Sequence, residues 1–194
     1  MKSEAEASSK DRILFEATAI AQAHGYGGLN VRTLAEQVGI KAASLYHHFP
    51  SKAHLAAAVA KRYAQDSAAT LEALATEAGD AKSCLRRYPQ TFRRSLENGN
   101  RICLCSFMTA EYDDLPPEVQ IEVHAFADAN IAWLGQVLQM TGMKHEQAEM
   151  RARAIFAAVS GAQLMARGRA DIGLFDSLIE SYRAAGLLSG ENEI

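Results

Sequence analysis

The residues of this chain most able to do chemistry are its three thiols, Cys84, Cys103 and Cys105, and its one pair of adjacent imidazoles, His47 and His48. The run Arg101-Ile102-Cys103-Leu104-Cys105-Ser106 follows an Asn98-Gly99-Asn100 turn and opens a helical segment expected over 103–112. A thiol at a helix N-terminus faces the positive end of the dipole, which lowers its pKa and favours the nucleophilic thiolate. Arg101 adds to that effect. Cys103 is therefore a candidate sensor of electrophiles or oxidants, with a structural thiol as the alternative, whereas Cys105 falls on another helical face and is expected to be buried. A metal at Cys-x-Cys needs further ligands, from Cys84 or His124. Adjacent helical positions such as His47 and His48 point ~100° apart and suit one ion poorly. No metal and no cofactor is assigned. His124 and Asp128 are four apart, a spacing common on helix surfaces. Paired carboxylates, Ser-His-Asp and Gly-x-Gly-x-x-Gly patterns are missing in any convincing context, so an enzyme is not expected.

These residues sit in a chain of 194 residues, net charge -3 and 48% hydrophobic composition, sufficient for a real core. Apolar residues recur at helical spacing, which predicts an all-α fold of about nine helices. No apolar stretch reaches the ~18 residues of a membrane span, and Met1–Lys10 lack the apolar segment of a secretory signal. A cytoplasmic protein follows, and an odd number of cysteines then argues against a disulfide framework. Residues 1–8 read as a disordered leader. The first 53 residues hold six Lys/Arg and five Asp/Glu, so the N-terminal part is the more cationic end.

Punctuation marks the elements. A first helix from Ser9 to His24 stops at Gly25, and Tyr26-Gly27-Gly28-Leu29 is a turn. Asn30 caps a short helix, Val31 to Val38, ended by Gly39. A third, about Ala42 to Phe49, stops at Pro50. Ser51 caps a long fourth helix to about Ala78. A fifth, about 81–97, contains Pro89 and is expected to kink or break there. After the sixth come a proline-started helix to about Met140, one from about His145 to Arg167, and one from about Asp171 to Ala185, with a frayed tail from Leu187.

The second and third helices carry the functional reading. Ala35 is small where two short helices must cross. Gly39 can take the positive φ of a tight interhelical turn, and Val38, Ile40 and Leu45 form the apolar wedge. The third helix is polar on one side, with Lys41, Ser44, Tyr46 and His47, and such a helix fits the ~12 Å major groove of DNA.

Leu45-Tyr46-His47-His48-Phe49-Pro50-Ser51-Lys52, following Leu34-Ala35-Glu36-x-x-Gly39, resembles the DNA-binding signature of TetR-type (TetR/AcrR) transcriptional regulators, in register from Asp11 to about Leu55. The resemblance implies a helix-turn-helix DNA-binding domain over 9–53 and an effector-binding and dimerisation domain over 54–194. It implies phosphate contact by Thr33, a recognition helix opened by Lys41, Ala42, Ala43 and Ser44, contacts from Tyr46 and His47, and a phosphate clamp at Lys52. His48 occupies a common aromatic or histidine position, and Ala42-Ala43 departs from the lysine or glycine of many relatives. It further implies a homodimer through the last two helices and a repressor released from a palindromic operator by a small-molecule or thiol-reactive effector. Lining residues for an effector pocket are sought among Tyr63, Tyr88, Phe92, Cys103, Phe107, Met108, Phe126, Trp133 and Met140. The segment 103–115 resembles a subset of that family with a cysteine at the matching place. The competing reading is a helical interaction or ligand-binding module without DNA binding, which leaves the glycine, wedge and lysine register unexplained.

Overall fold

A computed structural model of the chain describes residues 9–188, and all regular structure among them is helical. The leader 1–8 and the residues beyond 188 lie outside the described residues. Three short helices, α1 (Ser9–His24), α2 (Val31–Val38) and α3 (Ala42–His48), form an N-terminal head. α4 (Lys52–Ala78) follows, then α5 (Ala81–Arg87), α6 (Gln90–Glu97), α7 (Leu104–Ala110), a 3-10 turn at Tyr112–Asp114, α8 (Pro117–Met140), α9 (His145–Arg169) and α10 (Ile172–Ala184). None of the described helices is long and apolar enough to cross a membrane.

Local chemistry accounts for most boundaries. The side chains of Asn30, Ser51, Asp80 and Asp171 each accept a hydrogen bond from an N–H of the first helical turn that follows, satisfying donors that a helix N-terminus leaves unpaired. Pro89 breaks the fifth expected helix outright. It has no N–H to offer the ladder, so α5 ends at Arg87 and α6 begins at Gln90, giving ten α-helices among the described residues. α9 passes through Gly168 to Arg169 and is closed by Ala170 at φ 51°.

The body is built on α4, α8, α9 and α10, each packed against the next, with α5, α6 and α7 filling the remaining sides. α4 runs unbroken from the head into the body, while α1 packs on both α4 and α7. Among the described residues, the amide side chains of Asn130 and Gln163 are buried in the body, and both find partners. Gln163 accepts from the Cys103 N–H at 2.9 Å and donates to the Phe92 carbonyl at 2.6 Å. Asn130 accepts from the Tyr88 hydroxyl at 3.1 Å and donates to the Phe126 carbonyl at 3.0 Å.

Candidate nucleic-acid interface and effector cavity

α2 buries Val31, Leu34, Ala35 and Val38 and leaves Thr33 exposed. Gly39 closes it at φ 75°, ψ 34°, and the Ile40 N–H reaches the Ala35 carbonyl at 2.9 Å, the return bond of a left-handed helix terminus. Arg12 of α1 donates to the Val38 carbonyl at 2.7 Å and caps the same end. The turn therefore fixes α3 against α2 through one buried residue of α3, Leu45, flanked by Ile40 and Phe49.

Everything else on α3 faces outward. Lys41, Ala43, Ser44, Tyr46, His47 and His48 are exposed, and Ala42 is partly buried. Tyr46 is 48% exposed, too open for a packing aromatic. Lys52, in the first turn of α4, places its ammonium 4.4 Å from the Tyr26 ring centroid and 3.3 Å from the Gly27 carbonyl. The residues singled out for DNA contact thus occupy two packed short helices and the start of a third.

The head is tied to the body at the turn after α1. Glu111, just past α7, accepts from the N–H groups of Tyr26 at 2.6 Å and Gly27 at 3.0 Å. Gly25 has φ 67°, and a Cβ there would collide with the Glu111 carboxylate. Arg167 of α9 donates to the carbonyls of Gln22 and Ala23 at the end of α1. Each tie joins residues far apart in the chain, which no local sequence pattern reports.

A cavity of about 480 Å³ lies between α7, α8 and α9, walled by Phe107, Val123, Phe126, Phe156 and Leu164, with Ser160, Gln163 and Arg167 as its polar edge. Of the expected lining residues, Phe107 and Phe126 face it. Tyr88 and Met108 are fully enclosed in the core. Tyr88 stacks on Trp133 and packs on Phe92, and Tyr63 packs on Phe126, so these side chains back the cavity rather than border it. Met140, at the end of α8, is 73% exposed.

Cys103 requires a correction. It sits at the N-cap of α7 as expected, yet it is buried, and burial pushes its thiol up from the ordinary value. Hydrogen bonds from Ser106, Tyr63 and the Cys105 backbone pull the other way and are outweighed. Desolvation of a thiolate exceeds what one helix terminus returns. Cys105, which borders the cavity, is raised further, again by burial first.

Residues 13–59 match the family described as bacterial regulatory proteins, tetR family. Over 53 residues the chain is 42% identical to the HTH-type transcriptional repressor KstR of Mycolicibacterium smegmatis, a match spanning 27% of this chain and 26% of that relative. A TetR transcriptional regulator from Legionella pneumophila shares the whole architecture, with 27% identity, TM-score 0.88, and 94% of this chain and 99% of that one covered. A TetR-family transcriptional regulator from Agrobacterium tumefaciens superposes with TM-score 0.84 at 28% identity, over 92% and 97% of the two chains. Residues 13–59, the helix-turn-helix head, thus match the tetR family of bacterial regulatory proteins, and the chain shares the architecture of TetR-family transcriptional regulators along nearly its full length.

Proposed function

We propose that this protein is a cytoplasmic, dimeric DNA-binding repressor, released from its operator by a small molecule held in the α7–α8–α9 cavity. The observation that carries the DNA reading is the exposure of α3: one residue, Leu45, anchors it, and the polar remainder is free to enter a groove. Residues 9–53 serve as the head and 54–194 as the effector and dimerisation body. Thr33 and Lys52 supply phosphate contacts that set register, and Lys41, Ser44, Tyr46 and His47 reach base edges and backbone. The short side chains of Ala42 and Ala43 let the helix approach the groove closely while contributing little readout. His48 stands exposed at the end of α3 as a further backbone contact.

The dimer reading rests on α9. Met150, Leu164 and Met165 are exposed at 59%, 61% and 49%, and Ala157, Gly161 and Gly168 are exposed small residues on the same helix. Apolar groups separated by small ones suit close helix-on-helix packing in a symmetric pair. Two heads carried by such a pair read half-sites ~34–36 Å apart.

The test is fluorescence anisotropy on a duplex selected by the protein from random sequence. Tyr46→Ala and Lys52→Ala each weaken binding about ten-fold or more, and Lys52→Ala lowers the salt slope by about 1. Unchanged affinity in both variants removes the DNA reading.

A further inference from the structure

The cavity and the head meet at one side chain. Arg167 borders the cavity near the end of α9, its guanidinium 5.2 Å from the Phe107 ring centroid. Its Nη1 donates to the carbonyls of Gln22 at 3.4 Å and Asn100 at 3.2 Å, and its Nη2 to that of Ala23 at 3.1 Å. Gln22 and Ala23 belong to the last turn of α1, where carbonyls lack helical partners and attract a cation. No carboxylate pairs with Arg167 among the described residues; three backbone carbonyls and the Phe107 ring hold this charged, half-buried group. Two turns earlier on the same face of α9, Ser160 also borders the cavity, and its hydroxyl oxygen is buried without a hydrogen-bond partner. The rest of the wall is mainly apolar.

We infer that, given the effector reading above, this cavity takes an apolar monocarboxylate whose carboxylate pairs with Arg167 and draws the guanidinium off the α1 carbonyls. The volume, about 480 Å³, lies within the ~300–1,000 Å³ of small-molecule sites. Phe107, Phe126 and Phe156 receive the apolar body, and Ser160 offers a hydrogen bond to a second polar group. A carboxylate accepts from guanidinium in a bidentate, charge-assisted pair, stronger than bonds to neutral carbonyls. A ligand shifts an equilibrium only by its differential interaction with the two states. Here the difference lies in where the Arg167 donors go. With Arg167 engaged by ligand, the end of α1 loses its tie to α9, and the head is held at that turn by Glu111.

The experiment uses the full chain without DNA, so its failure leaves the Tyr46 and Lys52 tests standing, and theirs leaves this one intact. The probes are 4-phenylbutyrate and octanoate, each against its neutral primary amide, followed by calorimetry. Hydrogen exchange is read over residues 20–30. The carboxylates bind at least about ten-fold tighter than the amides, and exchange at Gly25, Gly28 and Leu29 accelerates on binding. Arg167→Met abolishes the preference for charge. Because that variant also frees the end of α1, substitution of Ala127, which lines the cavity from α8, serves as the second: Ala127→Phe fills the cavity, leaves the Arg167 contacts in place, and loses binding with unligated exchange unchanged. Equal affinity for acid and amide, a charge preference that survives Arg167→Met, binding without faster exchange over 20–30, or no binding by any probe at millimolar concentration each overturns the inference.

Discussion

Two glycines of the head, Gly39 and Gly25, have similar positive φ, 75° and 67°, and different surroundings. A Cβ on Gly39 meets nothing within 4 Å. Alanine there bears the left-handed backbone cost alone, ~1–2 kcal/mol, offset by ~0.4–1 kcal/mol because alanine restricts the unfolded chain. The net is about 1 kcal/mol, a fall in Tm of about 2–4 °C for a chain of this length. Asparagine, which tolerates this conformation, costs less. At Gly25 the same backbone term is joined by displacement of Glu111, which abandons the N–H groups of Tyr26 and Gly27. Hydrogen bonds to a charged acceptor contribute ~1.5–3 kcal/mol, and this site is partly exposed, so the pair adds about 2 kcal/mol. Gly25→Ala therefore costs about 3 kcal/mol, or about 6–12 °C. The check is thermal unfolding followed at 222 nm on both alanine variants and on Glu111→Ala and its double with Gly25→Ala. Once Glu111 is gone, Gly25→Ala costs only its backbone share, so the cycle shows a coupling of about 2 kcal/mol. Equal losses at the two glycines, or strict additivity in the cycle, refute the claim that Glu111 is what makes Gly25 special.

Other expectations concern separate parts of the molecule. Asn30→Ala removes the acceptor for Arg32 and Thr33 N–H groups and lowers stability by about 1 kcal/mol, while Asn30→Asp is near neutral, both read in urea melts. The three thiols are all buried, so native protein reacts with an aromatic disulfide reagent at least about ten-fold slower than urea-unfolded protein; a Cys103 that reacts at the free-thiol rate in the native state restores the sensor reading. Asp176 accepts a two-pronged pair from Arg93 at 2.7 and 2.9 Å, and that hydrogen bonding holds its carboxyl below the ordinary value of 3.8. A folded pKa lowered this way contributes stability above the unfolded value and loses it as pH falls through the folded one. Asp176→Asn should therefore flatten the fall in Tm below about pH 4, by less than ~1 kcal/mol because the pair is half-exposed.

What the sequence made legible, and what it concealed, divides by chain distance. The Asn30 cap, the Gly39 turn, the Ser51 cap and the Pro89 break each depend on partners within a few residues, and rules of local geometry read them directly. Leu45 as the lone buried residue of α3 follows from the same short-range pattern. Cys103 stands at a helix start, as local pattern indicates, but its burial depends on neighbours distant in the chain, with Tyr63 of α4 against its thiol and Gln163 of α9, 60 positions on, on its N–H, and no local rule reports them. Periodicity marks Tyr88 and Met108 as apolar-face residues without saying whether that face meets a core or a cavity, and both meet the core. Arg167 reads in the sequence as one more cation at the end of a helix, and Glu111 as a surface acid. Their partners stand 144 and 85 positions away.

That division also separates what is rigid in the head from what a ligand could alter. Capping and turn contacts within α1–α3 are local and short, and α4 carries the backbone unbroken into the body. No residue of α1–α4 lines the cavity, so a molecule held there touches neither. The polar ties at the turn after α1 are different in kind: they are side-chain bonds from α9 and the end of α7 to backbone groups. One of the two donors or acceptors, Arg167, stands at the cavity wall, while Glu111 does not. Head and body are thus joined at α4 by a continuous helix and at α1 by exchangeable contacts. Movement of the head on ligand binding should accordingly pivot near the start of α4, with its largest displacement at the α1 turn and little distortion inside α2 and α3.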